Sequence, residues 1–509
     1  MIYLLGVDIG TSGTKTVLFD AEGNTVASAL SEYPLYQPHI GWAEQDPEDW
    51  WRATVETISS VIKKSGVNPS DIKGVGLSGQ MHGMVLLNKE GRVLRPSIIW
   101  CDQRTQAECD QITEIVGKKR LIEITANPAL TGFTASKVMW VKNHQPDVFN
   151  QIYKILLPKD YVRYRLTGVF ATEVSDASGT QFLDVPKRRW SEELLNLLGI
   201  DPAWMPEVYE SQEVSGTVSS EAARLTGLSE GTPVVGGGGD QAAGAVGNGI
   251  VRQGVISSTI GTSGVVFAHM DDISIDPEGR VHTFCHAVPD KWHVMGVTQG
   301  AGLSLQWLRN NFGGMEKDLA AHMDIDPYQL MDKQAEKAKP GCDGLIYLPY
   351  LMGERTPHLD PYARGVFFGL TASHGRREMI RAVMEGVAYS LRDCLEIIRG
   401  MDVSITEVRA SGGGGRSPLW RQMQADIFNN PIATINSAEG PALGAALLAG
   451  VGAGVYKSVV EACDTAIKVV SVQEPIKENV PVYDKYYEIY GELYRALKDS
   501  FRKVAGITR

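Results

Sequence analysis

Four consecutive glycines run straight into an acid at Gly236-Gly-Gly-Gly-Asp240. Glycines let a substrate approach the backbone closely. The acid stands where a helix of small residues should begin, so it reads as a helix cap or as a general base. A base there would take the proton of an alcohol as that oxygen attacks a γ-phosphoryl group. The base is the sharper reading, and the two roles are compatible. A second acid, Asp8, closes an apolar run and opens Asp8-Ile-Gly-Thr-Ser-Gly-Thr-Lys15. It could hold Mg²⁺, directly or through water, while Thr11, Ser12 and Lys15 reach phosphate. Magnesium asks for little more than a carboxylate or two, waters and phosphate oxygens. The plainer alternative is a turn-capping Asp beside a solvated Lys.

The pentapeptide Ile-Gly-Thr-Ser-Gly inside that run, at 9–13, recurs at 260–264. Each copy lies between two apolar runs of strand character. Strand, Gly/Thr/Ser turn and strand make a hairpin whose tip offers backbone N–H groups and hydroxyls to phosphate oxygens. Two such tips point to two related lobes gripping one polyphosphate.

Weaker signals sit elsewhere. Glycines 412–415 before a helical stretch suit a nucleotide-binding turn on which adenine or ribose could lie. No GxxxxGK[ST] loop occurs, and no GxGxxG opens a helix in a dinucleotide context, which disfavours those two nucleotide folds. His282, Cys285 and His286 look like a metal cluster, but packing explains them more simply. Trp100, Asp102 and Arg104 could line a sugar cleft or form a buried ion pair beside an aromatic ring. Glu354 and Arg355 read as an ion pair in a loop, and Glu385 as structural.

The elements that must position these residues alternate between strands and helices in both halves, so the class is α/β. The spacing predicts helices over 47–64, 104–116 and 160–166, and strands over 75–77 and 84–87. One strand over 234–239 should run into Asp240. The second half repeats the plan: paired strands, a helix carrying Trp307, a long helix over 377–399 and a strand at 408–410. Helices follow over 418–428, 440–454 and 479–504. The expected lobes are residues 1–250 and 251–509.

The chain has 509 residues, 43% of them apolar and 21% charged, which is ordinary for a soluble multidomain protein. A net charge of −11 argues against a nucleic-acid partner. No membrane span or signal peptide is expected, and the six scattered cysteines read as reduced cytosolic thiols. The expected location is the cytoplasm.

The chain resembles the FGGY carbohydrate kinases of the actin/hexokinase/Hsp70 ATPase superfamily. One family signature fits Gly132-Phe-Thr-Ala-Ser-Lys-Val-Met-Trp-Val-Lys-Asn-His144. The other fits Gly365-Val-Phe-Phe-Gly-Leu370 continuing to Glu378-Met-Ile-Arg-Ala-Val-Met-Glu385. Gln80-Met-His-Gly83, Trp100-Cys-Asp-Gln-Arg104, Leu157-Pro-Lys-Asp-Tyr161, Ser175-Asp-Ala-Ser-Gly179 and Gly353-Glu-Arg-Thr-Pro-His358 are similar to the family's xylulose-specific branch. The resemblance implies two actin-like (ribonuclease H-like) ATPase lobes around a central cleft. It implies MgATP-dependent phosphorylation of D-xylulose to D-xylulose 5-phosphate. Ribulose, a related pentulose or a polyol is the alternative substrate, and a non-metabolic actin-like ATPase the alternative class. Asp240 matches the family's base and Asp8 its carboxylate near the metal. Met81 and His82 match the sugar-contacting pair, with His82 donating to a hydroxyl and Met81 packing on a carbon face. Thr11 and Lys15 match positions near the transferred phosphate. Gly261, Thr262, Gly302, Gln306, Gly412, Gly413 and Gly414 match nucleotide-side positions. Family members are commonly dimers, so a homodimer is the expected assembly.

Overall fold

The computed structural model describes residues 1–507; Thr508 and Arg509, the end of the second expected lobe, lie outside the described residues. Two seven-stranded sheets dominate the chain. The first contains β1 (Tyr3–Ile9), β2 (Gly13–Asp20), β3 (Thr25–Glu32), β4 (Ile72–Gly79), β5 (Val214–Thr217), β6 (Pro233–Val235) and β7 (Gly238–Gly239). Its order is β5–β6–β4–β1–β2–β3, and β7 also pairs with β4. Its helices include α1 (Pro47–Ser65), α2 (Thr134–His144), α3 (Pro158–Thr167) and α4 (Asp240–Gly247).

The second sheet contains β8 (Gly254–Ile260), β9 (Gly264–Met270), β10 (His282–Cys285), β11 (Trp292–Thr298), β12 (Ile405–Ser411), β13 (Ile432–Ile435) and β14 (Val469–Gln473). Its order is β10–β11–β9–β8–β12–β13–β14. The helices that matter here are α5 (Ala301–Phe312), α6 (Arg376–Arg399), α7 (Pro418–Phe428), α8 (Gly440–Gly452) and α9 (Val480–Ile507). The two sheets share a plan. In each an antiparallel hairpin, β1–β2 or β8–β9, pairs in parallel with a later strand, β4 or β12. Both copies of the repeated pentapeptide form the tips of those hairpins. The α/β class and the doubled architecture read from the sequence are therefore present.

Alternation along β1 sorts its side chains onto two faces. Leu5, Val7 and Ile9 join a core with Trp50, Trp51 and Ile58 of α1. Leu4 joins a different core with Val17, Phe19, Ala442 and Leu443. The second of these is made by α8, which comes from the far end of the chain and lies on the first sheet. The approach is close: a Cβ at Gly6 would sit 1.9 Å from the Ala442 carbonyl oxygen, and one at Gly76 1.9 Å from that of Ala445. Only glycine fits at such a backbone-to-backbone contact. Asp8 and Lys15 project from this same face of the sheet, toward the start of α8.

One expected element divides. The strand predicted over 234–239 breaks into β6 and β7 at Gly236 and Gly237. Gly237 has φ +75°, and a Cβ there would lie 2.0 Å from the Leu77 carbonyl oxygen. The kink interrupts the strand, and β7 then resumes the pairing with β4 directly before Asp240. Among the described residues no helix is long and apolar enough to cross a membrane.

Candidate active site

Strand register brings the two acids together. Gly238 pairs with Ser78 and Gly239 with Gly79 on one side of β4. Asp8 pairs with Ser78 and Ile9 with Gly79 on the other. With strands about 4.8 Å apart, Asp8 and Gly238 are roughly 10 Å apart across β4. Asp240 follows two residues later as the first residue of α4, while the cap position itself is Gly239. The capping alternative therefore falls on the wrong residue. Burial, and secondarily the negative charge of Asp8, raises the Asp240 carboxyl to about 7. The Gln241 amide N–H and side chain pull the other way. A carboxylate poised near neutrality has the proton affinity a general base needs.

Asp8 is also raised, chiefly by burial, with Ser78 and Lys15 opposing. Its Oδ1 and the Ser78 hydroxyl are buried without hydrogen-bond partners. Such orphaned oxygens await a partner from outside the chain. Lys15, opposite Asp8 in the β1–β2 register, makes a 2.5 Å ion pair with Glu439.

Asp240 opens onto a cavity of about 440 Å³ between the sheets. Gln241 and Gly244 line it from α4, Asn248 from just past the end of that helix, and Ser257, Thr259 and Phe267 from the second hairpin. Gly412, Gly413, Gly415 and Arg416 form another wall, and Ser437, Ala438 and Gly440 the loop before α8. Its volume falls within the ordinary range for small-molecule sites. The expected base and two of the expected nucleotide-side glycines thus share one space.

The hairpin tips are anchored through their carbonyls. Gly10 O accepts from the Tyr33 hydroxyl, and Thr11 O from Gln45 Nε2 at 2.7 Å. In a trans peptide the next N–H points the opposite way, so those of Thr11 and Ser12 face away from these anchors. The second tip repeats the device with the first turn of α5. Gly302 N donates to Gly261 O at 2.8 Å and Leu303 N to Thr262 O at 3.1 Å. A Cβ on Gly302 would lie 2.3 Å from Gly261 O, and one on Gly414 2.5 Å from Ile260 Cγ2. Gly261, Thr262, Gly302, Gly412 and Gly414 therefore converge around the end of β8. Gln306 lies on the exposed face of α5, and Ser12 is exposed at its own tip.

Met81 lies next to the residue before Asp240, and His82 follows it. Met81 is buried against Gly239, where an added Cβ would meet its Cγ at 2.9 Å. His82 Nδ1 is 2.8 Å from Gly179 O. A carbonyl only accepts, so Nδ1 carries the proton. Burial and then the Lys137 ammonium push the ring's basicity well down, so it is neutral. Nε2 is then an acceptor. This corrects the donor role expected for His82: a sugar hydroxyl would donate to it.

Asp102 was expected either to line the sugar cleft or to form a buried ion pair beside an aromatic ring; the structure corrects the first and has the second, with Asp102 wholly buried and both oxygens engaged. Asp102 Oδ2 accepts from Ala43 N at 2.6 Å and Arg104 Nη2 at 2.7 Å, and Oδ1 from Arg104 N at 2.9 Å. The Arg104 guanidinium lies 3.6 Å above the Trp42 ring. Trp100 is exposed instead, and its indole N–H donates to Thr11 Oγ1 at 2.9 Å, beside the first hairpin tip. The Glu354–Arg355 ion pair is not formed. Glu354 accepts from Gln299 N, Arg355 N and Ser390 Oγ. His282 meets Asn127 Oδ1, and His286 meets Ile250 O. Glu385 pairs with Arg381 and Tyr483.

Several lining residues had no signal in the sequence. Arg416, Ser437, Ala438 and Asn248 carry no motif and reach the cavity only through the fold. Glu439 could have been suspected as an acid just before a helix.

Residues 3–247 match the N-terminal domain of the FGGY family of carbohydrate kinases, and residues 256–453 its C-terminal domain. A xylulose kinase of Bacillus subtilis is 40% identical over 509 residues, spanning 99% of this chain and 100% of the relative. The crystal structure of a xylulose kinase from Rhodospirillum rubrum aligns with TM-score 0.90 at 31% identity, covering 98% of this chain and 100% of that one. A gluconate kinase from Lactobacillus acidophilus aligns with TM-score 0.91 at 30% identity, covering 99% of both. With these neighbours, the two sheets are the lobes of the actin-like, ribonuclease H-like ATPase fold. The duplicated hairpins, the shared cavity and these matches agree that the chain belongs to the FGGY family of carbohydrate kinases.

Proposed function

We propose that this protein transfers the γ-phosphoryl group of ATP to D-xylulose, giving D-xylulose 5-phosphate. The observation that carries the reading is the Asp240 carboxylate, tuned to about 7, at the edge of the cavity that Gly412 and Gly413 also line. Asp240 takes the proton of the attacking primary hydroxyl. Met81 packs on the sugar's carbon face, and His82 Nε2 accepts from a hydroxyl. The N–H groups at the two tips and Lys15 meet the phosphates. The 1–250 part supplies the sugar pocket and the base, and the 251–509 part the nucleotide pocket. Phosphoryl transfer asks the protein mainly for alignment and charge neutralisation, which fixed N–H groups provide at no reorganisation cost.

Asp8 fits a magnesium ligand, because its Oδ1 is buried and unpartnered. Among the described residues no group of three or more His, Cys, Asp or Glu is arranged around a metal. A cation here would lean on Asp8, water and phosphate oxygens, and when bound it would neutralise phosphate charge.

The test is an ADP-release assay with MgATP and D-xylulose, D-ribulose, gluconate and glycerol in turn. Xylulose should give the highest kcat/KM. Turnover equal with and without sugar would sink the reading. Gluconate is the second reading, supported by a gluconokinase of Bacillus subtilis that is 34% identical over the whole of this chain. Xylulose is preferred on the higher identity of 40% to a xylulose kinase.

A further inference from the structure

Lys137 is fully buried in the first turn of α2, yet it has no carboxylate partner. Its Nζ donates to two backbone carbonyls instead, His82 O at 2.8 Å and Gly132 O at 2.5 Å. Burial pushes the pKa of the ammonium down to about 7, with the charge of Asp102 only partly opposing, and burying an ammonium without a directly paired carboxylate is costly. A positive charge at a helix N-terminus also opposes the helix dipole. Neither helix stability nor packing accounts for it.

The geometry around His82 does. The residue has φ +69°, a left-handed conformation that a β-carbon disfavours. Four contacts hold it there. Lys137 Nζ and Thr134 Oγ1 saturate its carbonyl, at 2.8 and 3.1 Å. His82 Nδ1–H donates to Gly179 O at 2.8 Å, and Phe133 packs on the ring at 4.6 Å between centroids. Three of the four come from α2 or the residue before it. Burial, and after it the charge of Lys137, lowers the basicity of the ring.

We propose that Lys137 is a positioning residue for the sugar: by gripping the His82 carbonyl it holds the imidazole with Nε2 presented as an acceptor to a substrate hydroxyl. This rests on the reading of His82 as a sugar contact. Lys137 touches no reacting atom, so its removal should weaken sugar binding and leave the phosphoryl side alone.

The test is a set of Lys137→Met, His82→Ala and the double variant, with sugar KM, ATP KM, kcat and thermal midpoint measured for each. Lys137→Met should raise sugar KM about tenfold, the effect of losing one charge-assisted hydrogen bond. ATP KM and kcat should stay within about twofold. The thermal midpoint should hold or rise, since a buried charge is gone. In the His82→Ala background, Lys137→Met should change sugar KM no further, because coupled residues are non-additive. A purely structural lysine would lower the midpoint and add its loss in both backgrounds; that result overturns the proposal. If His82→Ala leaves sugar KM unchanged, the underlying reading of the pocket falls, and the proposal with it. Should Lys137→Met fail to fold, Thr134→Val removes the other donor to the same carbonyl. It should raise sugar KM about threefold, again only when His82 is present. No rise there would equally overturn the proposal.

Discussion

Lys15 Nζ lies 2.5 Å from Glu439 Oε2, so the hairpin that opens the chain is clamped to the residue before α8. The same glutamate adds to the negative potential that raises Asp8. A phosphate arriving at the tip must compete with this carboxylate for the lysine. Glu439→Gln should therefore lower the KM for ATP, by about two- to fivefold for one partly exposed charge. Initial rates against ATP concentration at saturating sugar check it. A raised KM would mean that Glu439 helps to bind the nucleotide.

Asp240→Asn should cut kcat by about 10²–10⁴, the usual contribution of a positioned base. The same change should stabilise the protein above neutral pH. The folded state keeps a proton on Asp240 up to about 7, whereas an unfolded aspartate releases it near its model value of 3.8. Stability is thus lost as pH rises through that window. The asparagine variant escapes the loss, and should gain up to about 2 kcal/mol at pH 8, the carboxylate being partly open to the cleft. It should gain nothing below pH 3.8. Thermal melts at the two extremes of pH test the sign.

The rate profile should carry the same group. Because the base works ionised, kcat/KM for the sugar should rise with pH through a limb near 7. Asp8 contributes to that position by repulsion. In Asp8→Asn the limb should move to lower pH, whatever happens to the maximal rate. A limb that stays put would show that another group controls it.

Asp102→Ala separates a structural acid from a sugar contact. It leaves the Arg104 guanidinium buried beside Trp42 with only Glu44 for a counter-charge, at 2.8 Å. Removing one member of a buried pair costs about 3–5 kcal/mol. Melting should drop accordingly, while the sugar KM of the folded fraction should hold. A changed KM at unchanged stability would restore the substrate role.

The sequence was informative where local chemistry and repetition coincide. The doubled pentapeptide marked both hairpins, and glycines before an acid marked Asp240, because such turns tolerate few other residues. The division at Gly236 and Gly237 was hidden, since a glycine run does not announce which member takes a positive φ. Residue type could not separate a substrate-facing Asp102 from one paired with Arg104. The acceptor role of His82 depends on Gly179, far away in sequence, and so could not be read from the Met-His pair. Arg416 and Ser437 reach the cavity through tertiary packing alone. The helix expected over 440–454 was legible, but no periodicity names the surface it packs against.

That surface is made almost at the start of translation, and the helix that closes it almost at the end. The last strand of the first sheet ends at Gly239, so the ribosome still has about 200 residues to add before α8 can cover the Gly6 and Gly76 side of that sheet. N-terminal-first folding is blocked for this half, and such distant pairing slows the last step. A message truncated ahead of codon 440 would encode Met81, His82 and Asp240 in full. It would still yield a polypeptide whose first sheet lacks the cover that Ala442, Leu443 and Leu447 give it.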